Sequence, residues 1–143
     1  MKVPRFEHRF VDHFPDQLDR GVLYISLPFA SSAHGCACGC GREVVTPLSP
    51  AGWSMTFDGE SVSLNPSIGN DALPCRSHYW IKRGAVVWSY QMSRDEVDAA
   101  RRRDQTDRDI YYGRPSTTSE TLRLQKEVHK SAWSWLVGWL NKE

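Results

Sequence analysis

The chain of 143 residues is long enough for one domain with its own hydrophobic core. Apolar residues make up 40% of the chain and charged residues 24%, which excludes a disordered or collagen-like protein. The formal net charge of +1 lacks the basic excess typical of nucleic-acid-binding domains. No apolar stretch approaches the ~20 residues of a membrane span, and no secretory leader is visible. We therefore expect a cytoplasmic protein that binds neither nucleic acid nor membrane.

The first part of the chain predicts short strands. Residues 1–20 show no regular period, and we interpret them as an N-terminal surface extension. Gly21–Leu27 is rich in β-branched and apolar residues, which is typical of a buried strand. A cysteine-rich loop follows, and Glu43–Thr46 predicts a short strand that ends at Pro47.

Two hairpins are predicted further along the chain. Asp58-Gly59 and Arg83-Gly84 are turn dipeptides that tolerate positive φ, and each lies between two apolar runs. The Gly/Pro/Asn-rich stretch Asn65–Pro74 separates the hairpins and predicts a loop. The four strands of the hairpins are predicted at Trp53–Phe57, Glu60–Leu64, His78–Lys82 and Ala85–Tyr90.

The pattern becomes helical after Ser93. Ser93-x-x-Glu96 is a capping box that opens a helix over Asp95–Arg103. Apolar residues at helical spacing predict a second helix over Ser119–Leu140. The tryptophans of this helix cannot all face one core, which suggests that one of them contacts a second copy in a homodimer. The predicted fold is α+β: one small, mostly antiparallel β-sheet with a zinc-binding loop, followed by two C-terminal helices. We expect a single domain over 1–143, with a β-rich core at 21–92 and the helices at 93–143.

The four cysteines predict a metal site. Three of them occupy alternate positions between glycines, and the fourth lies in Pro74-Cys75. In a reducing compartment such clustered thiols indicate metal binding rather than disulfides, and soft sulfur ligands favour Zn²⁺. His34 and His78 are alternative ligands, so six candidates compete for about four positions. The preferred ligand set is Cys36, Cys38, Cys40 and Cys75.

Three blocks of sequence carry a resemblance to a known family. They read HGCACGCGREVVTPLSPAGW, SVSLNPSIGN and PCRSHYWIKRGAVVWS, and they span about Leu23 to Tyr90. Together they resemble a bacterial zinc-binding family defined as a domain of unknown function. Its members are encoded beside ubiquitin-like proteins and their activating and conjugating enzymes, in mobile or defence-associated loci.

The resemblance implies a role in a ubiquitin-like conjugation pathway. It suggests a zinc-containing peptidase that matures or removes the modifier, with the modifier and its activating and conjugating enzymes as partners. The alternative is a zinc-stabilised adaptor that binds the modifier or its conjugating enzyme without chemistry.

The residues allow two kinds of peptidase site. In the first, the cysteines hold a structural zinc and a serine is the nucleophile. Ser67 is preferred, with His34 or His78 as its base, and Asn70 is a candidate to orient the base or bind an oxyanion. Ser77 adjoins His78, but neighbouring residues of a strand point to opposite faces, which disfavours that pair.

In the second kind of site the zinc is catalytic. Two or three cysteines and His78 would then leave one position for water, with Glu43 or Asp71 as general base. Arg42 and Arg76 flank the metal-binding segments and are candidates for bidentate recognition of a carboxylate. The sequence leaves both kinds of site open.

Overall fold

The computed structural model describes residues 1–114. No helix among them is long and apolar enough to span a membrane. The chain divides into two units, residues 1–104 and 105–143, and the strands found within residues 1–114 all belong to the first. The elements are β1 Glu7–Phe10, β2 Val22–Ser26, β3 Ser31–Gly35, β4 Glu43–Pro47, β5 Ser54–Phe57, β6 Val62–Gly69, β7 His78–Lys82, β8 Ala85–Trp88 and α1 Arg94–Tyr111.

The strands form two four-stranded sheets, ordered β1-β2-β3-β4 and β5-β6-β7-β8. The β1–β2 pair is parallel and the other pairs are antiparallel. With eight strands and one helix in residues 1–114, the protein is mostly β there. The predicted α+β fold, with one small sheet followed by two C-terminal helices, is therefore wrong. The predicted helix Ser119–Leu140 and its dimer contact lie outside the described residues.

Two strands of the first sheet have no hydrophobic alternation that would reveal them. β1 is largely exposed and forms by parallel pairing with β2. β3 has the sequence SSAHG and lies between β2 and β4, where backbone pairing stabilises it on both sides. The N-terminal segment, predicted as a surface extension, thus supplies a strand, and Val3 and Phe6 are buried in the core.

Both sheets contribute side chains to one hydrophobic core. Strand alternation explains the pattern in β4, where Val44 and Thr46 are buried while Glu43 and Val45 are exposed. From the first sheet the core takes Leu23, Ile25 and Val44, and from the second it takes Val62, Leu64, Ile68, Tyr79 and Ile81.

Both predicted turns and the predicted helix cap are present, but one of the turns is longer than predicted. The β7–β8 turn has two residues, Arg83 and Gly84, both with positive φ (48° and 75°). The β5–β6 connection instead runs over residues 58–61, because Phe57 pairs with Val62. At the start of α1 the Glu96 carboxylate accepts the Ser93 N–H at 2.7 Å, which forms the predicted capping box.

Candidate active site and cysteine cluster

Ser67 and His78 contact each other across the neighbouring strands β6 and β7. Ser67 Oγ lies 2.8 Å from His78 Nε2, within hydrogen-bond distance. Gly69 is paired directly with His78, so Ser67, two residues earlier, lies on the same face of the sheet. A Cβ atom on Gly69 would lie 4.0 Å from His78 Cδ2 and 3.3 Å from Asp71 Oδ2. A side chain at this position would therefore meet the imidazole at ordinary van der Waals distance and would crowd only the Asp71 carboxylate.

An irregularity in β6 presents Ser67. The pairing passes from Leu64–Ile81 to Ile68–Tyr79, so four steps along β6 match two along β7. Ser67 lies in the extra length, where the strand bulges from regular pairing. The sequence predicts a loop from Asn65 onward; the structure continues β6 through Gly69 with this bulge.

The other nitrogen of His78 is fixed by the main chain. His78 Nδ1 lies 3.0 Å from the carbonyl oxygen of Tyr90. A carbonyl oxygen can only accept a hydrogen bond, so Nδ1 carries the proton in the neutral ring. Nε2 is then the acceptor, and the Ser67 hydroxyl donates to it. This is the arrangement that activates a serine nucleophile.

The segment that carries the Tyr90 carbonyl is held from two sides. Arg76 Nη2 donates to the carbonyl oxygen of Met92 at 3.1 Å. The Tyr90 hydroxyl donates to Glu96 Oε1 at 3.3 Å. Arg76, considered from sequence as a carboxylate-binding residue, thus contacts this segment. Sequence analysis missed the Tyr90 carbonyl, because a backbone group has no residue type that would mark it. The two-residue turn after Lys82 sets the register in which Ser89 N donates to His78 O, and this places Tyr90 next to His78.

Ser67 and His78 open into a cleft of about 620 Å³. Its lining combines apolar side chains with polar and charged ones. Glu43 and Asp71, the predicted general bases of a catalytic zinc, line this cleft and are not members of the cysteine cluster. The lining includes Glu43, Val44, Val45, Trp53, Pro66, Ser67, Asp71, His78, Trp80, Tyr90, Met92, Val97 and Arg101.

His34 lies elsewhere, in the core. It is fully buried, and its Nε2 lies 2.9 Å from the Tyr79 hydroxyl, so the structure does not bring it to Ser67. Burial lowers the pKa of His34 to about 4, which keeps the ring neutral at physiological pH. The Tyr79 hydroxyl also contacts Ala37 N at 3.4 Å, within the cysteine loop. His34 therefore supports that loop through Tyr79.

Ser77 and Asn70 contact the cysteines rather than Ser67. Ser77 Oγ lies 3.1 Å from Cys36 Sγ, and Asn70 Nδ2 donates to Ser77 Oγ at 3.0 Å. Asn70 Nδ2 is also 3.6 Å from Cys36 Sγ. Both side chains are buried, and the Asn70 amide donates to both Ser77 Oγ and Cys36 Sγ. The same short connection that carries them joins Ser67 on β6 to His78 on β7.

The four cysteines converge on one point. All four Sγ atoms lie within 4.8 Å of one another, with 3.9 Å between Cys36 and Cys75 and 3.8 Å between Cys40 and Cys75. A tetrahedral zinc with sulfur ligands at ~2.3 Å requires sulfur–sulfur distances of about 3.8 Å. The donor set and its spacing therefore fit a four-coordinate thiophilic metal, without either histidine.

The hydrogen bonds around the sulfurs favour a thiolate. Burial raises the pKa of Cys75, but hydrogen bonds from the Ser77 hydroxyl and backbone N–H outweigh it, and the pKa falls to about 7. Burial and the neighbouring thiols raise the pKa of Cys38 to about 12. A bound cation would favour all four thiolates.

Comparison with protein family models identifies the family of this chain. Residues 10–89, more than half of the 143-residue chain, match the family described as bacterial ubiquitination-like system serine protease (BubE). The chain belongs to the BubE family. The predicted resemblance to a bacterial family of ubiquitin-like conjugation is confirmed. No curated protein and no solved structure matches the chain significantly. The matched segment contains Ser67, His78 and all four cysteines.

Proposed function

We propose that the protein is a serine peptidase that processes or removes a ubiquitin-like modifier, with Ser67 as nucleophile and His78 as general base. One observation carries the proposal: Ser67 Oγ lies 2.8 Å from His78 Nε2, while the Tyr90 carbonyl holds the proton on Nδ1. The family description, a serine protease of a bacterial ubiquitination-like system, supports the reaction class and the pathway.

The mechanism follows from the protonation of His78. As Ser67 Oγ attacks the substrate carbonyl carbon, Nε2 accepts the hydroxyl proton, and the ring becomes an imidazolium. The Tyr90 carbonyl oxygen stabilises this cation through the Nδ1–H bond. Nε2 then donates its proton to the leaving amine, and the acyl group remains on Ser67. Water then attacks the acyl carbon while Nε2 takes its proton, and Nε2 returns that proton to Ser67 Oγ as the acyl–Oγ bond breaks and the carboxylic acid leaves.

The cysteine cluster has a structural role in this proposal. We assign Zn²⁺ to the four thiolates of Cys36, Cys38, Cys40 and Cys75, which leave no coordination position for water. His78 bonds Ser67 and Tyr90, and His34 bonds Tyr79, so neither ring is needed as a ligand. The ion supplies no step of the reaction. Bound there, it would hold Cys75 in the connection between β6, which carries Ser67, and β7, which begins at His78.

Replacement of the nucleophile tests the reaction. A ubiquitin-like protein with a short C-terminal extension is incubated with wild type and with Ser67→Ala, and the released extension is quantified by mass spectrometry. We expect Ser67→Ala to lower kcat by about 10³-fold or more, because the attacking atom is lost. Ser63→Ala is the matched control, since Ser63 lies on the same strand as Ser67 but its Oγ accepts the N–H of Arg83.

A covalent probe separates the peptidase from the adaptor. A fluorophosphonate should add once to wild type, at Ser67, and should not add to Ser67→Ala or to His78→Gln. Modifier binding without cleavage or labelling would contradict the proposal and support the adaptor. Cleavage by Ser67→Ala that disappears on metal removal, with the fold intact, would instead support a catalytic metal.

A further inference from the structure

The strand β4 has a free edge in the wall of the cleft. It is the last strand of the first sheet, and within residues 1–114 no further strand pairs with its outer side over Glu43–Val45. These same three residues line the cleft that contains Ser67 and His78. An unpaired strand edge carries backbone donors and acceptors that can pair with an extended chain.

The register identifies the backbone groups that face outward. Cys36 N donates to Arg42 O, and Leu48 N donates to Ala30 O, at the two ends of the β3–β4 ladder. In an antiparallel pair, hydrogen-bonded residues alternate with residues whose N–H and C=O point away. The even-numbered residues of β4 therefore bond β3. Glu43 and Val45 direct their N–H and C=O groups to the free edge.

The open part of the edge is short and bounded. At its far end Pro47 has no N–H, and its carbonyl oxygen already accepts the Trp53 N–H at 3.0 Å. Only Glu43 and Val45 remain, enough to pair with about three residues of an added strand. Val45 is 59% exposed, so the edge also offers an apolar side chain.

We propose that this edge binds the extended peptide segment next to the scissile bond of the substrate as an added fifth strand, which delivers the carbonyl to Ser67. The occupant is a peptide in extended conformation, because only a chain with alternating N–H and C=O groups satisfies the groups of Glu43 and Val45. The inference rests on the proposed function, since it places the substrate of the same dyad.

The protein side of the pairing is tested with Val45→Pro. The substitution removes the outward N–H of residue 45 but leaves every hydrogen bond to β3 in place. Val44 is already in a strand, and the residue before a proline favours this extended conformation. Val45→Thr is the matched comparison, because it keeps the N–H and the β-branched shape. Each variant is assayed with two substrates. The first is an octapeptide aminomethylcoumarin amide, selected as the best substrate in a peptide library. The second is p-nitrophenyl acetate, which has no peptide backbone.

The readout is the ratio of kcat/KM for the octapeptide to that for the acetate. We expect this ratio in Val45→Pro to be at least about tenfold below the ratio in Val45→Thr, as one lost backbone hydrogen bond predicts. Equal ratios in the two variants overturn the inference. Circular dichroism and metal content show whether both variants are folded.

The substrate side gives a second test with wild-type protein. The backbone amides of the octapeptide are methylated one at a time. Pairing with Glu43 and Val45 predicts that methylation at two positions separated by one residue lowers kcat/KM, while methylation between them has little effect. A uniform effect overturns the inference while Ser67-dependent cleavage still supports the proposed function. Absence of any Ser67-dependent cleavage overturns both.

Discussion

The Tyr79 hydroxyl joins the hydrophobic core to the cysteine loop. It bonds His34 Nε2 and contacts Ala37 N, and Tyr79 and His34 are both fully buried. His34 Nδ1 has no hydrogen-bond partner among the described residues. The pair therefore depends on one hydroxyl group, because a buried imidazole without any partner carries a large desolvation cost.

We expect Tyr79→Phe to lower the free energy of unfolding by about 1–3 kcal/mol, since it leaves His34 Nε2 buried and unsatisfied. The measurement is urea denaturation at a fixed metal concentration. Tyr24→Phe is the control: its hydroxyl bonds Asp19, whose exposed carboxylate can bind water instead, and a smaller loss is expected. Equal losses in the two variants would contradict a special role for the pair of His34 and Tyr79.

At the scale of elements, the connection between β5 and β6 is organised by one carboxylate. Asp58 accepts hydrogen bonds from the backbone N–H groups of Ser61 and Glu60 and from the Ser61 hydroxyl. These bonds lower the pKa of Asp58 to about 2 from its usual 3.8. A carboxyl group whose pKa falls on folding stabilises the fold above its unfolded pKa, and this stabilisation is lost as pH falls through the folded pKa.

The stability difference between wild type and Asp58→Asn is therefore expected to depend on pH. In asparagine an NH₂ group replaces Oδ2, so it cannot accept the hydrogen bond from the Ser61 hydroxyl. The asparagine side chain also does not titrate. We expect wild type to be more stable above about pH 4, with the difference shrinking between about pH 4 and pH 2. Urea denaturation of both proteins at each pH measures the difference, and any effect of acid on the cysteines is common to both. A difference that stays constant with pH would refute this assignment.

At the scale of the whole molecule, the cysteine cluster joins the two sheets. Cys36, Cys38 and Cys40 lie in the connection between β3 and β4, and Cys75 lies in the connection between β6 and β7. A metal bound to all four would link segments far apart in sequence, and its binding free energy would contribute directly to folding. His78 lies three residues after Cys75, so the same metal would also help to position the proposed Ser67–His78 dyad.

Removal of the metal should destabilise the fold and the active site together. We expect about one equivalent of zinc per chain, and its chelation should lower both the Tm and the rate of cleavage. Cd²⁺, which thiolates bind well, should restore both properties, because the proposed ion activates no water. Ser67→Ala should show the same change in Tm on chelation. A metal-free chain that is folded and active would refute the structural role.

The sequence predicted the features that neighbouring residues determine. Turn chemistry at Arg83-Gly84 and the capping box at Ser93 act within a few residues, so their positions follow from local pattern. The density of thiols in residues 36–40 likewise identifies a metal-binding segment without knowledge of the fold. The Pro and Gly neighbours of Ser67 single it out in the sequence, but they predict a loop where the structure has a bulged strand.

Only the tertiary structure decided the two-sheet architecture and the partners of each histidine. β1 and β3 form through pairing with β2 rather than through patterns of their own, so sequence alone could not count the strands. His34 and His78 are the same residue type beside similar motifs, yet one is buried against Tyr79 and the other bonds Ser67 and Tyr90. Their difference arises from contacts between residues distant in sequence, which no local pattern encodes.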